Sequence, residues 1–319
     1  MGMAKAMMLL RMGPCSMETA ELLKKLERPT GKVDVVLDTD TYNEIDDQFA
    51  LSYMIKSDDK LNVKAIYAAP FFNEKSTGPA DGMEKSYHEI IKVLGLLERE
   101  DLKAVVFRGS DRYLSSETEP VLSDAAKDLA DRAMTYTEEN PLYVVAIGAI
   151  TNVASALIMK PEIKDRMVVI WLGGHAHHWP ENTEFNLYQD VAAARIIFGC
   201  GVPFVQLPCM GVVSAFTVSG ADLAMDLKGQ NPLCDYLAEN VAQEVKSYCD
   251  SPVWSRVIWD VTAVAWLLSE EFMNDVVVHS PIPEYDGRYA FDDRRHFMKY
   301  VYYIDRDKLL RDLFEKLSK

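Results

Sequence analysis

Basic residues are in short supply in this chain. Its 34 Lys and Arg stand against 49 Asp and Glu, for a formal net charge of −15. So anionic a surface repels phosphate, so neither nucleic acid nor an anionic membrane is expected as a partner. Cysteine is equally sparse. Cys15, Cys200, Cys209, Cys234 and Cys249 are odd in number, widely spaced and never at C-x-x-C spacing. That argues against a disulfide framework and against zinc, and for a reduced, cytoplasmic setting. Long hydrophobic runs are missing as well. The apolar stretch at residues 7–12 is too short to span a bilayer and lacks the order of a signal peptide, so a soluble intracellular protein is expected. Neither internal repeats nor low-complexity segments occur.

What the chain does have is apolar residues, 49% of 319, enough for a large core. Residues 1–32 read as a peripheral extension, with an amphipathic helix at 17–26 capped by Ser16. From Val33 onward, β-branched runs alternate with amphipathic helical segments. Strands are expected at 33–37, 63–68, 104–107, 142–147, 168–172 and 202–206. Helices are expected at 45–55, 82–97, 121–134, up to 159, and 191–198. Such alternation with short connections implies an α/β fold, a mostly parallel sheet with helices on both faces. After Leu207 the texture turns helical (220–227, 232–249, 254–268), with late β pieces at 276–279, 288–290 and 296–303 and a closing helix at 305–317. No linker is long enough to separate domains, so 1–319 reads as a single domain.

The chain is organised around residues 35–51. An apolar strand runs into a helix, and Asp38, Asp40, Glu44, Asp46 and Asp47 crowd the ten residues between. Carboxylates so close repel one another unless something positive gathers them, and a hard divalent cation with oxygen ligands is the usual solution. A single Asp in a strand-to-helix loop is more often a cap or turn former. Helix-dipole stabilisation covers Asp46 and Asp47 but leaves Asp38 and Asp40 unexplained.

In open α/β sheets, sites form beyond the carboxyl ends of the strands. Polar residues there include Asn73 after the second strand and the Ile147 carbonyl. Beyond Gly173-Gly174 follow His175, His177, His178, Asn182, Glu184 and Asn186, and Trp259-Asp260 opens a late apolar stretch. Taken alone, Asn73 reads as a loop residue, Trp259 as core packing, and the histidines as a solvated loop.

Together these residues resemble the inosine-uridine nucleoside hydrolase family. Asp38-Thr39-Asp40, Asp46-Asp47 and Ala50-Leu51 match its Asp-x-Asp-Pro-Gly-x-Asp-Asp-x-x-Ala-Leu signature. Gly148-Ala149-Ile150-Thr151-Asn152 matches its Gly-Gly-Leu-Thr-Asn turn, Glu184-Phe185-Asn186 its Glu-Phe-Asn, and Asp260 its late metal aspartate. The resemblance implies a nucleoside hydrolase core plus a helical C-terminal portion. It also implies Ca²⁺ bound by Asp40, Asp47, the Ile147 carbonyl and Asp260, with Asp40 taking a proton from the water on that ion. Asp46, Asn73, Glu184 and Asn186 would hold the ribose, and the assembly would be a homodimer or homotetramer. The reaction implied is hydrolysis of ribonucleosides to base and ribose through an oxocarbenium-like sugar, a step in nucleoside salvage.

The chain departs from the family pattern in three places. Two extra residues lie between Asp40 and Asp46, with Thr41-Tyr42 in place of Pro-Gly, so the loop must bulge and Tyr42 or Asn43 can reach the pocket. The segment before Glu184 is short, which weakens Asn182 as a sugar ligand. Trp259 stands where many members carry a histidine acid. An indole is a poor proton donor but stacks on a base, which points to purines. That leaves His175, His177 or His178 as the source of the missing proton and Phe71 or Phe72 as a second wall. Two rival readings follow from the same residues: a haloacid-dehalogenase-like Mg²⁺ phosphatase with Asp38 as nucleophile, and a nucleoside-binding protein without turnover.

Overall fold

The computed structural model describes residues 18–319. Residues up to 17, including Ser16 and Cys15, lie outside the described part.

The Val/Ile/Leu runs form the strands of one eight-stranded sheet. β1 (Val33–Thr39) is followed by α2 (Asp47–Ile55), a first helix α1 (Thr19–Lys25) having preceded it. β2 (Leu61–Ala68), α3 (Pro79–Leu96), β3 (Val106–Arg108), α4 (Asp124–Ala133), β4 (Leu142–Ala146) and α5 (Thr151–Met159) come next. Then follow β5 (Met167–Leu172), α6 (Phe185–Gln189), α7 (Val191–Gly199) and β6 (Phe204–Leu207). The strand order is β3-β2-β1-β4-β5-β6, continued by β12 (Phe297–Ile304) and β9 (Met273–His279). All neighbours are parallel except the edge pair β12–β9. The order reverses between β1 and β4, which puts a crevice beyond their carboxyl ends.

Side-chain alternation along β1 divides the core. Val35 and Leu37 face a layer with Phe49, Val93, Trp266 and Leu313, while Val36 faces one with Leu129, Val153, Trp171 and Ile197. Covering both faces explains why β4 and β5 are uninterrupted apolar runs, buried at every position.

Two expectations need correction. The helix expected at 254–268 is instead β8 (Ser255–Val257), paired antiparallel with β7 (Thr217–Ser219), followed by a turn at Trp259-Asp260 and the short helix α9 (Val261–Ala265). The apolar residues at 257–258 have strand partners available in β7, and Ile258 N–H continues the pairing to the Phe216 carbonyl at 3.1 Å. Long-range pairing therefore overrides local helical periodicity. Between β7 and β8 runs α8 (Pro232–Lys246). After β9 come a small hairpin, β10 (Ile282–Pro283) with β11 (Tyr289–Ala290), then β12 and α10 (Arg306–Leu317). Two of the late β pieces, β9 and β12, are thus part of the main sheet, while the piece at 288–290 is β11 of the separate hairpin.

The second correction concerns the 1–32 extension. In its described part, Leu22 and Leu26 are buried in the core. The Lys25 ammonium reaches the Asp165 carbonyl at 2.7 Å. Arg28 donates to the Trp266 and Met273 carbonyls and pairs with Asp275 at 2.7 Å. The segment is docked on the sheet. Among the described residues, no helix is long and apolar enough to cross a membrane.

Because Leu26 is fully buried, Leu26→Ala should destabilise the protein by roughly 2–5 kcal/mol. The midpoint of urea denaturation measures this. A merely peripheral helix would shift it by no more than about 0.5 kcal/mol.

Candidate active site

The crevice at the strand-order reversal is built by the segment after β1. Asp40 follows the last strand residue, Thr39, and begins a tight turn in which Asn43 N–H donates to the Asp40 carbonyl at 2.7 Å. Gln48 Nε2 holds the Thr41 carbonyl at 2.7 Å, and the Thr39 hydroxyl donates to Asp47 Oδ1 at 2.6 Å. The two extra residues are thus absorbed in a bonded turn, and the aspartates on either side stay in register with the cavity. Asp46 caps α2 by position only; its side chain makes no capping hydrogen bond. It is turned instead toward α9, where Asp46 Oδ2 accepts from Asp260 N–H at 3.3 Å.

Carboxylate oxygens of Asp46, Asp47 and Asp260 all lie within 4.8 Å of one another, and all three residues are buried. Asp40 lines the same cavity, with its side chain against Gly148. A Cβ at that glycine would sit 2.9 Å from Asp40 Oδ1, so only glycine lets β4's end approach so closely. Burial pushes each of these acids up: Asp47 to about 6, and Asp40, Asp46 and Asp260 well above the usual carboxylate range. Mutual repulsion adds to the desolvation of Asp40 and Asp260. Asp40 Oδ2 and Asp46 Oδ1 are buried without a hydrogen-bond partner. Buried oxygens with open lone pairs, converging from three elements and all hard, suit an ion such as Ca²⁺ or Mg²⁺. The nearby Ile147 carbonyl accepts from Asn186 Nδ2 at 3.2 Å and keeps a second lone pair.

The crevice spans about 570 Å³, part of it open to solvent. Among the expected site residues, Asp40, Asp46, Asp47, Ile147, His175, Glu184, Asn186, Trp259 and Asp260 line it. Glu184 caps α6, accepting from the N–H groups of Asn186 and Leu187, and also takes Gly174 N–H at 2.7 Å. Gly174 has φ +75, and a Cβ there would strike the Tyr289 hydroxyl oxygen. Asn186 donates to the carbonyls of Ile147 and Leu172 and so bridges the ends of β4 and β5.

Other expected residues sit elsewhere. Asp38 is fully buried behind the site. Its Oδ1 accepts from Asn152 Nδ2 at 2.8 Å and burial raises its pKa to about 7. It does not line the cavity, which removes the nucleophile of the phosphatase reading. Asn73 also stands back: its Nδ2 donates to Asn43 Oδ1 at 2.6 Å, and Asn43 is the residue on the wall. Tyr42 is 42% exposed and faces a separate groove toward α8. Asn182 supports His175 from behind, accepting its N–H at 2.7 Å.

Of the three histidines, only His175 lines the cavity. Its Nδ1 accepts Met210 N–H at 3.3 Å and its Nε2 lies 3.5 Å from Glu181. His177 turns to Gln206 and Tyr300, and His178 is exposed. Phe71 is buried in the core and Phe72 is exposed, so neither forms a cavity wall. Trp259 is partly buried and does both things weighed for it, packing on the core while lining the cavity. Glu44, Leu172, Cys209 and Met210 are lining residues that the motifs do not mark, whereas Phe185 lies inside the Glu-Phe-Asn motif and Asn43 lines the cavity from the lengthened loop. Position could have found Cys209 and Met210, which follow the carboxyl end of β6.

The sequence matches the family model described as inosine-uridine preferring nucleoside hydrolase over residues 35–311. The pyrimidine-specific ribonucleoside hydrolase RihA of Photobacterium profundum is 26% identical over 249 residues, covering 69% of this chain and 79% of that protein. RihA of Salmonella paratyphi A is 26% identical over 267 residues, covering 76% and 81%. Among solved structures, the purine-preferring ribonucleoside hydrolase from Gardnerella vaginalis superposes with a TM-score of 0.74 at 21% identity, covering 89% of this chain and 98% of that one. A plant nucleoside hydrolase gives 0.70 at 21% identity, covering 90% and 99%.

The acid cluster fixes a pH dependence. Asp38 and Asp47 titrate near 7 and 6 in the folded metal-free chain, against about 3.9 when unfolded. Between those values the folded state holds more protons than the unfolded state, so stability falls as pH rises through that window. The melting temperature of metal-free protein should decline from about pH 4.5 to 7.5. Added Ca²⁺ should release protons and raise the melting temperature more at pH 7.5 than at pH 5. Thermal scans, with calorimetry in buffers of different ionisation enthalpy, test both.

Proposed function

Since the chain belongs to the inosine-uridine preferring nucleoside hydrolase family, we propose that it hydrolyses the N-glycosidic bond of ribonucleosides, purines preferred, to free base and ribose. The observation that carries this is one cavity holding the acid triad of Asp46, Asp47 and Asp260, Asp40 and an aromatic wall, Trp259. We assign Ca²⁺ to Asp40, Asp47, Asp260 and the Ile147 carbonyl. Asp46 lies close enough to serve the ion as well as a ribose hydroxyl. When bound, such an ion lowers the pKa of a water it holds and aligns that water on the anomeric carbon.

The rest of the chemistry falls to the chain's own groups. Asp40, with one oxygen free of protein hydrogen bonds, accepts the proton of the attacking water. Asp46, Glu184 and Asn186 grip the ribose hydroxyls, and the two carboxylates stabilise the sugar as it becomes cationic. Asn73 contributes through Asn43, to which it is bonded. Trp259 stacks on the base and favours a purine gaining positive charge. His175 is held neutral by burial, and its Nδ1 is occupied by the Met210 N–H. It therefore offers the departing base a neutral Nε2–H and not an imidazolium proton.

The substrate preference rests on Trp259; the relatives include both a pyrimidine-specific and a purine-preferring enzyme. The remaining parts of the reading are a single domain, a homodimer or homotetramer, and a cytoplasmic location. One sheet running from β1 to β12 supports the first, and four free cysteines among the described residues support the last.

The test is incubation of pure Ca²⁺-loaded protein with a panel of purine and pyrimidine nucleosides and a phosphatase substrate, following ribose and phosphate. Ribose release is expected. Tight nucleoside binding without it would instead favour the non-catalytic reading. Asp40→Asn should lower kcat by roughly 10²–10⁴-fold, and Asp47→Ala should lose the ion by metal analysis. An Asp47→Ala protein that retains both calcium and full activity would sink the site assignment. Trp259→Ala should lower kcat/KM for purine nucleosides by about tenfold, the equivalent of ~1–2 kcal/mol of stacking, and affect pyrimidine nucleosides less.

A further inference from the structure

The lengthened loop between Asp40 and Asp46 contributes two residues to the cavity wall, Asn43 and Glu44. It is fixed from outside at several points. Lys75 Nζ donates to the Asn43 carbonyl at 2.8 Å, Tyr42 N–H meets the Ser86 hydroxyl, and Ile45 is buried. Glu44 is tied separately. Its Oε2 lies 2.6 Å from the Arg256 guanidinium on β8, and that same nitrogen lies 3.3 Å from Glu244 on α8. Arg256 is mostly buried, and its Nε has no hydrogen-bond partner.

The wall carries six carboxylates and neither Lys nor Arg. Arg256 stands just behind it, near enough for its charge to act on Asp46. A free guanidinium at that place would be a ready ligand for phosphate, since its fork matches the oxygens of a phosphate group. Both carboxylates converge on one nitrogen of that fork, Nη2: Glu44 from a residue that lines the cavity, and Glu244 from one that does not. An anionic substituent entering the cavity would meet the Glu44 carboxylate and find no Lys or Arg on the wall.

We propose that Glu44 is a specificity-determining residue: it presents a carboxylate to the cavity and sequesters Arg256, so that the site admits uncharged ribosides and rejects those carrying a phosphate. Selection of this kind works by making the wrong ligand worse. The loop insertion supplies the device, because the wall would otherwise lack this carboxylate and its tether. The inference rests on the ribose-binding reading of the same cavity, and the experiment separates the two.

Ribose and ribose 5-phosphate serve as probes, with affinities measured by calorimetry on the Ca²⁺-loaded full chain, so no cleavage is required. In E44Q the affinity for ribose 5-phosphate relative to ribose should rise at least tenfold over wild type. In E244Q, which loosens the same guanidinium away from the cavity, the ratio should stay within twofold. Adding R256Q to E44Q should remove the gain, and melting temperatures verify that each variant is folded. An unchanged ratio in E44Q, an equal shift in E244Q, or a gain that survives R256Q overturns the proposal. If the wild type fails to bind ribose while E44Q still acquires ribose 5-phosphate, the hydrolase reading is damaged and the role of Glu44 stands.

Discussion

Everything around the cavity answers to the repulsion among its buried carboxylates. Asp40, Asp46, Asp47 and Asp260 are removed from water and brought together, and either change alone favours protonation. Natural cores avoid such clusters unless a counter-charge repays the desolvation. The neighbouring neutral contacts do only part of that. The Thr39 hydroxyl serves one oxygen of Asp47 and the Asp260 amide serves one of Asp46, while other oxygens are left with open lone pairs. Without a counter-charge the fold holds buried carboxylates in mutual opposition, which a bound cation would relieve.

The sheet makes that strain tolerable by placing it where backbone is available. The reversal of strand order between β1 and β4 opens the crevice, Gly148 permits close approach, and α6 turns its capping glutamate onto the end of β5. Trp171, wholly buried, donates from its indole nitrogen to the Gly148 carbonyl at 3.0 Å, so the layer beneath the sheet also holds the glycine turn. Each wall residue is thus positioned by an element whose own burial is large.

How far the sequence alone reaches depends on the range of the interactions involved. The central strands β4, β5 and β6 were legible because each is buried on both faces and reads as an apolar run. Asp40 and Asp47 stood out because clustered acids demand an explanation, whereas Asp260 was marked only by the family resemblance. The β8 strand was not, since residues 255–257 have apolar neighbours compatible with a helix and become a strand only by pairing with β7. Leu22 and Leu26 were placed at the periphery because a short amphipathic segment carries no mark of what it docks against. The displacement of Asn73 by Asn43, and the ion pair of Glu44 with Arg256, depend on a loop bulge whose path no local pattern specifies.

The path of the chain through the sheet bears on how the protein is made. Asp46 and the Asp260 amide that bonds it are 214 residues apart in sequence, and β12, at residues 297–304, enters the sheet beside β6 long after β6 itself has been made. During synthesis, β1 to β6 can pair first, because their crossovers are local. Asp40, Asp46 and Asp47 would then lie in a crevice that the segment carrying Asp260 has yet to cover. The arrival of the Asp260 segment closes water out and completes the repulsion in one late step. A topology with such distant contacts folds slowly and exposes apolar strand edges while it waits. The order of assembly thus postpones the least favourable electrostatics until most of the hydrophobic core is already in place.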